Sequence, residues 1–178
     1  MPFPLWSRLR SSLWFIPGLI VLGAVTLAIV LVELSRIRGL GLAAQWPLLF
    51  GAGADGSRAM LTAIATSMIT VAGVVFSITI VTLSLAASQY SSRVLRQFMD
   101  DRGNQAVLGV FVGIFAYCLI VLRTIRGGSE GGFVPAFAVL GAVLLAFAGI
   151  GFLVYFIHHI ANAIQAAHIL AAVHAATL

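Results

Sequence analysis

Small hydroxylated residues recur on one side of a long apolar stretch between Ala59 and Arg93. At about 100° per residue, the periodicity of an α-helix, they fall within an arc of about 80°. This hydroxyl stripe comprises Thr62, Thr66, Thr70, Ser77, Ser84, Ser88 and Ser91, together with Gly73, which lies on the same side but has no hydroxyl group. Polar groups are unfavourable in hydrocarbon, so the stripe is expected to face protein or water.

Two kinds of chemistry fit the hydroxyl stripe. Serine and threonine hydroxyls hold membrane helices together, with interhelical contacts of about 0.6 kcal/mol each. Alternatively, hydroxyl rings around an oligomer axis form a hydrophilic but uncharged path. In that case Arg93 and Arg96, which follow the stripe, lie at its cytoplasmic mouth and favour anions.

A second polar group follows the last apolar stretch. His158 and Asn162 are four residues apart, and Gln165 and His168 continue roughly the same helical face. Metal sites usually add carboxylates or further histidines, and no acidic residue follows Glu130. The pattern favours an interfacial or subunit-facing polar strip, and a strip that responds to pH through histidine charging is the alternative. The sequence predicts no metal and no cofactor.

The acidic residues argue against catalysis and proton coupling. All five lie at the ends of apolar stretches or in loops: Glu33, Asp55, Asp100, Asp101 and Glu130. A proton relay usually places a carboxylate within the membrane, and a Ser-His-Asp triad needs an acid near a histidine. The sequence therefore predicts a protein that is not an enzyme.

The elements that position these residues are membrane helices. Of 178 residues, 61% are hydrophobic and 8% charged, whereas soluble domains contain about 25% charged residues. The expected fold is all-α, a single transmembrane domain over residues 1–178 containing a bundle of four transmembrane helices. The predicted spans are residues 17–34, 59–87, 105–122 and 135–157.

Helices 2 and 4 are expected to extend beyond the bilayer. The charge-free stretch 59–92 reaches about 51 Å as a helix, and the hydrocarbon core is about 30 Å thick. Residues 158–178 form a helical extension of span 4 that leads towards a soluble domain. Residues 35–58 are expected to form a connector.

Spans 3 and 4 carry small residues on one face. Gly109 and Gly113 form a G-x-x-x-G pair, and Ala138, Ala142 and Ala146 share a face. Small residues let membrane helices approach closely. They indicate helix packing, either within the chain or between subunits.

The basic residues are all arginines, and eight of the ten lie in pairs beside the apolar stretches: Arg8/Arg10, Arg36/Arg38, Arg93/Arg96 and Arg123/Arg126. This arrangement is typical of helix ends at lipid headgroups, and it lacks the clustered basic face of a nucleic-acid-binding protein. The arginines divide five against five between the two membrane sides. Arg8 and Arg10 precede span 1 and favour a cytoplasmic N-terminus.

Several segments resemble a bacterial membrane-protein family of unknown function, domain of unknown function 2254. They are Phe76–Arg93, Leu108–Tyr117, the Leu122-Arg123 pair and Phe156–Ile160. The resemblance implies a bacterial inner-membrane protein and a large soluble domain after the membrane part. It implies no activity and no catalytic residue.

Two functions follow as expectations. The first is a homo-oligomeric, channel-like or transport protein in which the hydroxyl stripe lines the path. The alternative is a non-catalytic membrane anchor, scaffold or accessory subunit of a larger membrane complex. Membrane lipids are partners in both cases, further membrane subunits are partners in the second, and nucleic acid is a partner in neither.

Overall fold

The computed structural model describes residues 15–45, 53–89, 102–127 and 132–176. Nearly all of them belong to four α-helices. These are α1 (Phe15–Gln45), α2 (Gly53–Gln89), α3 (Arg102–Thr124) and α4 (Ala136–Ala176). Each helix contains a segment long and apolar enough to cross a membrane. The predicted all-α fold with four transmembrane helices is confirmed.

Two helices extend further into the predicted connector than expected. Helix α1 runs to Gln45 and α2 begins at Gly53, so the prediction of a connector over residues 35–58 is wrong for residues 35–45 and 53–58. The apolar segment of α1 ends at Ile37, but no proline occurs between there and Pro47. Loss of hydropathy marks where a chain leaves the bilayer, whereas a helix can continue past that point when no proline interrupts its backbone.

Helices α2 and α4 exceed the thickness of a bilayer. They contain 37 and 41 residues, or about 55 and 61 Å at 1.5 Å per residue. Their membrane-compatible segments end at Val81 and His158. Both helices therefore continue beyond the hydrocarbon core, which is about 30 Å thick.

Helix α3 is the centre of the bundle. It contacts the other three helices, most extensively α1 and then α2, whereas α1 and α2 barely touch each other. In its apolar segment 44% of the residues are buried, against 11% in α1. The outer sides of α1, α2 and α4 consequently face the surroundings of the chain.

Two side-chain hydrogen bonds attach the start of α4 to its neighbours. The buried Tyr117 hydroxyl of α3 donates to the Ala138 carbonyl at 2.8 Å. The buried Ser35 hydroxyl of α1 accepts a hydrogen bond from the Phe137 N–H at 3.2 Å and donates to the Leu31 carbonyl at 2.7 Å. These contacts fix the position of α4 relative to α1 and α3.

The α3–α4 connection turns back on itself through one pair of main-chain hydrogen bonds. The Arg126 N–H donates to the Phe133 carbonyl at 3.1 Å, and the Phe133 N–H donates to the Arg126 carbonyl at 3.0 Å. This antiparallel bridge brings together residues seven positions apart. The described parts of this connection, residues 125–127 and 132–135, are called the α3–α4 hairpin.

Candidate functional site

The rotation of α2 about its axis is set by an apolar core face. Every third or fourth residue along one side of α2 is buried: Leu61, Ala65, Met68, Ala72 and Val75. This is the side that meets α3 and α4, because α2 has its contacts with those helices. The core face therefore determines which way all other α2 side chains point.

The hydroxyl stripe lies on the far side of α2 from the core face. All its members with a described side chain are exposed: Thr62, Thr66, Thr70, Gly73, Ser77 and Ser84. At about 100° per residue, the centre of the stripe is about 140° from the centre of the core face. The described stripe is therefore not packed inside this bundle, and it faces whatever surrounds the chain.

The described part of the stripe is long enough to cross the hydrocarbon core of a membrane. From residue 62 to residue 84 the helix rises about 33 Å, close to the hydrocarbon thickness of about 30 Å. Exposed apolar side chains flank the stripe, including Phe76 on one side and Val74 on the other. The outer face of α2 thus presents a narrow hydroxylated track between apolar borders, which the exposed apolar side chains of Ile80 and Val81 interrupt before Ser84.

Gly73 has no packing role within the described chain. A Cβ atom added at Gly73 would meet no other atom within 4 Å. A glycine inside a helix costs about 1 kcal/mol relative to alanine, so its presence here calls for a reason outside the bundle. Gly73 and Ser77 are four residues apart, the spacing at which small residues let a second membrane helix approach closely.

The Thr70 hydroxyl is oriented by its own helix. It donates to the Thr66 carbonyl at 2.8 Å, and the neighbouring Ser67 hydroxyl bonds the Ala63 carbonyl in the same way at 2.8 Å. Such bonds occupy the hydroxyl proton and leave the oxygen lone pairs available. At Thr70 the stripe therefore presents a hydrogen-bond acceptor outwards.

The small residues of α3 lie against α1. A Cβ atom added at Gly109 would lie 2.8 Å from the Pro17 Cα, and one at Gly113 would lie 3.4 Å from the Ala24 Cβ. These glycines allow the two helix backbones to approach each other, since even one methyl group fills the space between them. The described small-residue face of α3 therefore packs within the chain.

The alanines of α4 differ in their surroundings. Ala138 and Ala142 are fully buried in the core. Ala146 is half-buried and lines an open apolar groove together with Met68 and Phe111. The first two alanines thus support packing inside the bundle, and the third lies at its edge.

Sequence reasoning missed a polar cluster at the end of the bundle where α1 and α3 finish. The Arg58 guanidinium in α2 donates to the Ile125 carbonyl at 3.0 Å. The Arg36 guanidinium in α1 lies 5.7 Å from the centre of the Phe133 ring. The pairing of Arg36 with Arg38 marked Arg36 as a helix-end residue, whereas Arg58 is unpaired in the sequence. Nothing in that pattern indicated that residues 67 positions apart would meet.

The remaining predicted site residues are placed only in part. His158 is exposed on α4. Asn162, Gln165 and His168 belong to the same helix and Ser88 to α2, with side chains outside the described part of the structure, and Arg93 and Arg96 lie outside the described residues altogether. Within the described ranges, no three histidine, cysteine, aspartate or glutamate side chains cluster as a metal site.

Comparison with known proteins places the chain among membrane proteins. A family model described as "Predicted membrane protein (DUF2254)" matches residues 10–178. Uncharacterized proteins from Mycobacterium tuberculosis and Mycobacterium bovis are each 42% identical to the chain over 119 residues. The matched stretch is 66% of this chain and 23% of each relative, so it spans under a quarter of the relatives' length. No solved structure matches the chain.

Proposed function

This chain belongs to the DUF2254 family of predicted membrane proteins, and we propose that it forms a homo-oligomeric, channel-like transport protein. The α2 helices of several copies surround a path, and their hydroxyl stripes line it. The proposed site is the bacterial inner membrane, with the N-terminus in the cytoplasm. The role is non-catalytic.

The single observation that carries this proposal is the outward direction of the hydroxyl stripe. Thr66, Thr70 and Ser77 are exposed on one chain, and hydroxyls are better placed against water or protein than against lipid. One copy cannot enclose a stripe on its own outer surface. Several copies around an axis can, and the stripe is long enough to cross the hydrocarbon core.

Gly73 supports close approach of neighbouring copies. It lies within the stripe and has open space around it, so its missing side chain removes an obstacle between α2 helices of different subunits. In this arrangement Arg93 and Arg96 follow the stripe at its cytoplasmic end. A ring of positive charge at a pore mouth favours anions.

Ion flux through liposomes containing the full-length protein tests the proposal. Chloride and potassium gradients are compared for the wild type, Thr70→Leu and Val74→Leu. Residue 70 lies in the stripe, whereas Val74 is exposed one turn later beside it, so both replacements bring a leucine to the outer face of α2. We expect chloride flux that Thr70→Leu abolishes and Val74→Leu preserves. Equal flux through both folded variants would refute a stripe-lined path.

Water accessibility gives a second measurement on the same residues. Cys118 is buried in α3 and is replaced with alanine, and single cysteines are then introduced at Thr70, Ser77 and Val74. A water-filled path predicts fast labelling of residues 70 and 77 by a charged thiol reagent and slow labelling of residue 74. Equally slow labelling at all three positions would place the stripe in a dry contact.

One observation favours a second function, that of a membrane anchor or accessory subunit. The matched stretch makes up only 23% of each mycobacterial relative, so in those proteins most of the chain lies outside it. In this case the hydroxyl stripe contacts another membrane subunit. Slow labelling of residues 70 and 77 by the charged thiol reagent, together with the absence of ion flux, is the result expected for this function.

A further inference from the structure

Four described arginines gather at one end of the bundle. Arg36 and Arg123 are each the second-to-last residue of their segment, the α1 span and helix α3 respectively. Arg58 lies near the start of α2. Arg126 lies in the α3–α4 hairpin. All are exposed. Together these four residues are called the arginine surface, and they lie at the level where the apolar spans end.

The α3–α4 hairpin holds this surface in place. Arg58 bonds the carbonyl of Ile125, and a Cβ atom added at Gly127 would lie 3.7 Å from an Arg58 guanidinium nitrogen. The Arg58 guanidinium therefore bonds one chain neighbour of Arg126 and lies beside the other. On the other side of the bridge, the Phe133 ring lies under the Arg36 guanidinium. The hairpin thus holds Arg36 of α1 and Arg58 of α2 beside its own Arg126.

The surface carries more positive than negative charge. Arg36 pairs with Glu33 at 3.1 Å. Arg58 lies 3.9 Å from Asp55, whose side chain is fully exposed, and an exposed pair at this distance contributes little. Among the described residues no acidic partner lies within 4 Å of Arg123 or Arg126. Among the side chains that the structure describes at this end of the bundle, four arginines against two carboxylates leave a formal charge of +2.

We propose that the arginine surface binds the headgroup of an anionic phospholipid. A guanidinium can donate two parallel hydrogen bonds to phosphate oxygens, which an ammonium group cannot do with the same geometry. The position of the surface, where the membrane spans end, is that of lipid phosphates. The exposed apolar side chains of Ile37 and Met60 lie next to this level in α1 and α2, where acyl chains contact the protein.

Arg58 is the central residue of the proposed site. Its side chain is 45% exposed, and its bond to Ile125 occupies one donor while the guanidinium carries five. The remaining donors are held in a fixed direction because the carbonyl anchors the group. A lipid phosphate that binds here meets a preformed donor instead of a freely rotating side chain.

Lipid titration of the full-length protein in detergent tests this inference. Native mass spectrometry measures the apparent Kd for phosphatidylglycerol and for the zwitterionic phosphatidylcholine. We expect tighter binding of phosphatidylglycerol to the wild type, and about fivefold weaker binding to Arg58→Gln, since one basic residue near an anionic headgroup is worth about that factor. Arg58→Lys keeps the charge but loses the paired donors, so it should also bind more weakly than the wild type.

Matched controls separate a built site from general charge. Arg10→Gln removes one positive charge before α1, on the other side of the membrane in the four-span arrangement, and should leave phosphatidylglycerol binding unchanged. Arg126→Gln should weaken binding while preserving the hairpin, because the bridge uses only main-chain atoms; it serves as the second variant if Arg58→Gln does not fold. Equal binding of the two lipids to the wild type would overturn the proposal. It would also be overturned if Arg10→Gln weakened phosphatidylglycerol binding as much as a folded Arg58→Gln or Arg126→Gln variant does.

An arm with inorganic phosphate distinguishes the source of the ligand. Millimolar phosphate should not displace phosphatidylglycerol, because the acyl chains add apolar contacts that free phosphate lacks. Displacement at that concentration would assign the surface to free phosphate and refute the lipid proposal. These measurements do not involve the hydroxyl stripe, so they succeed or fail independently of ion flux.

Discussion

Replacing Gly109 with alanine should force α1 and α3 apart. The added Cβ atom would lie 2.8 Å from the Pro17 Cα and 3.0 Å from the Ile20 Cδ1. Carbon atoms in contact are ordinarily about 3.5–4.0 Å apart. The nearer obstacle is main chain, which cannot rotate away as a side chain can. The two helices must therefore separate by about 0.7–1.2 Å at this contact.

The expected cost follows from two opposing effects. Overpacking a close contact costs about 1–3 kcal/mol, and the upper part of that range applies because the helix axis itself must move. Alanine recovers about 1 kcal/mol through its higher helix propensity. The net change should be a loss of about 2 kcal/mol in the free energy of unfolding.

The assay uses the lone cysteine of the chain. Cys118 is fully buried in α3, so a thiol-reactive dye can label it only after the bundle opens. Labelling is followed during thermal unfolding of the protein in a mild detergent. Gly109→Ala should shift the labelling transition to a lower temperature than in the wild type.

Gly113→Ala is the matched control for Gly109→Ala. It lies one turn further along α3 on the same face, but its added Cβ atom would lie 3.4 Å from the nearest atom, the Ala24 Cβ. That distance needs an adjustment of a few tenths of an ångström at most. Gly113→Ala should therefore unfold near the wild-type temperature or above it. If Gly109→Ala is as stable as Gly113→Ala, the inferred closeness of α1 and α3 is incorrect.

Three further substitutions test separate contacts. Tyr117→Phe removes the hydrogen bond to the Ala138 carbonyl and should cost about 1 kcal/mol in the same unfolding assay; no change would mean that the bond contributes nothing in the bundle. Ser35→Ala removes the acceptor for the Phe137 N–H and should cost about 1 kcal/mol, with partial recovery in Ser35→Thr. Gly73→Ala meets open space within one chain, so it should leave the unfolding temperature unchanged or raised but reduce chemical cross-linking between copies; undiminished cross-linking would argue against close approach of subunits at this residue.

The sequence was sufficient to predict the number and class of the helices. Charge-free stretches of about 20 residues or more are a direct consequence of the bilayer thickness, so each one identified a helix. Helix ends were predicted less well, as residues 35–45 show. Apolar residues report where the chain meets lipid, and a helix without a proline or another interruption continues into water.

The direction of the hydroxyl stripe was beyond sequence reasoning. Periodicity placed Thr66, Thr70 and Ser77 on a common face, but it cannot state which way that face points. In a soluble helix the apolar side would face inwards. In a membrane both sides of a helix can be apolar, so the direction depends on contacts between helices that are distant in sequence. The meeting of Arg58 with Ile125 depends on such contacts for the same reason.

The rotation of α2 has a cause that hydrophobicity alone does not supply. Lipid tails are as apolar as leucine, so Leu61 and Met68 would be equally stable facing lipid. Turning α2 by about 140° would thus hide the hydroxyls in the bundle without a hydrophobic penalty. Ala65 and Ala72 lie in the core face, and their small side chains are compatible with close packing of α2 against the bundle. In this rotation the hydroxyls of α2 remain outside the bundle. They are then more stable against water or a neighbouring subunit than against lipid.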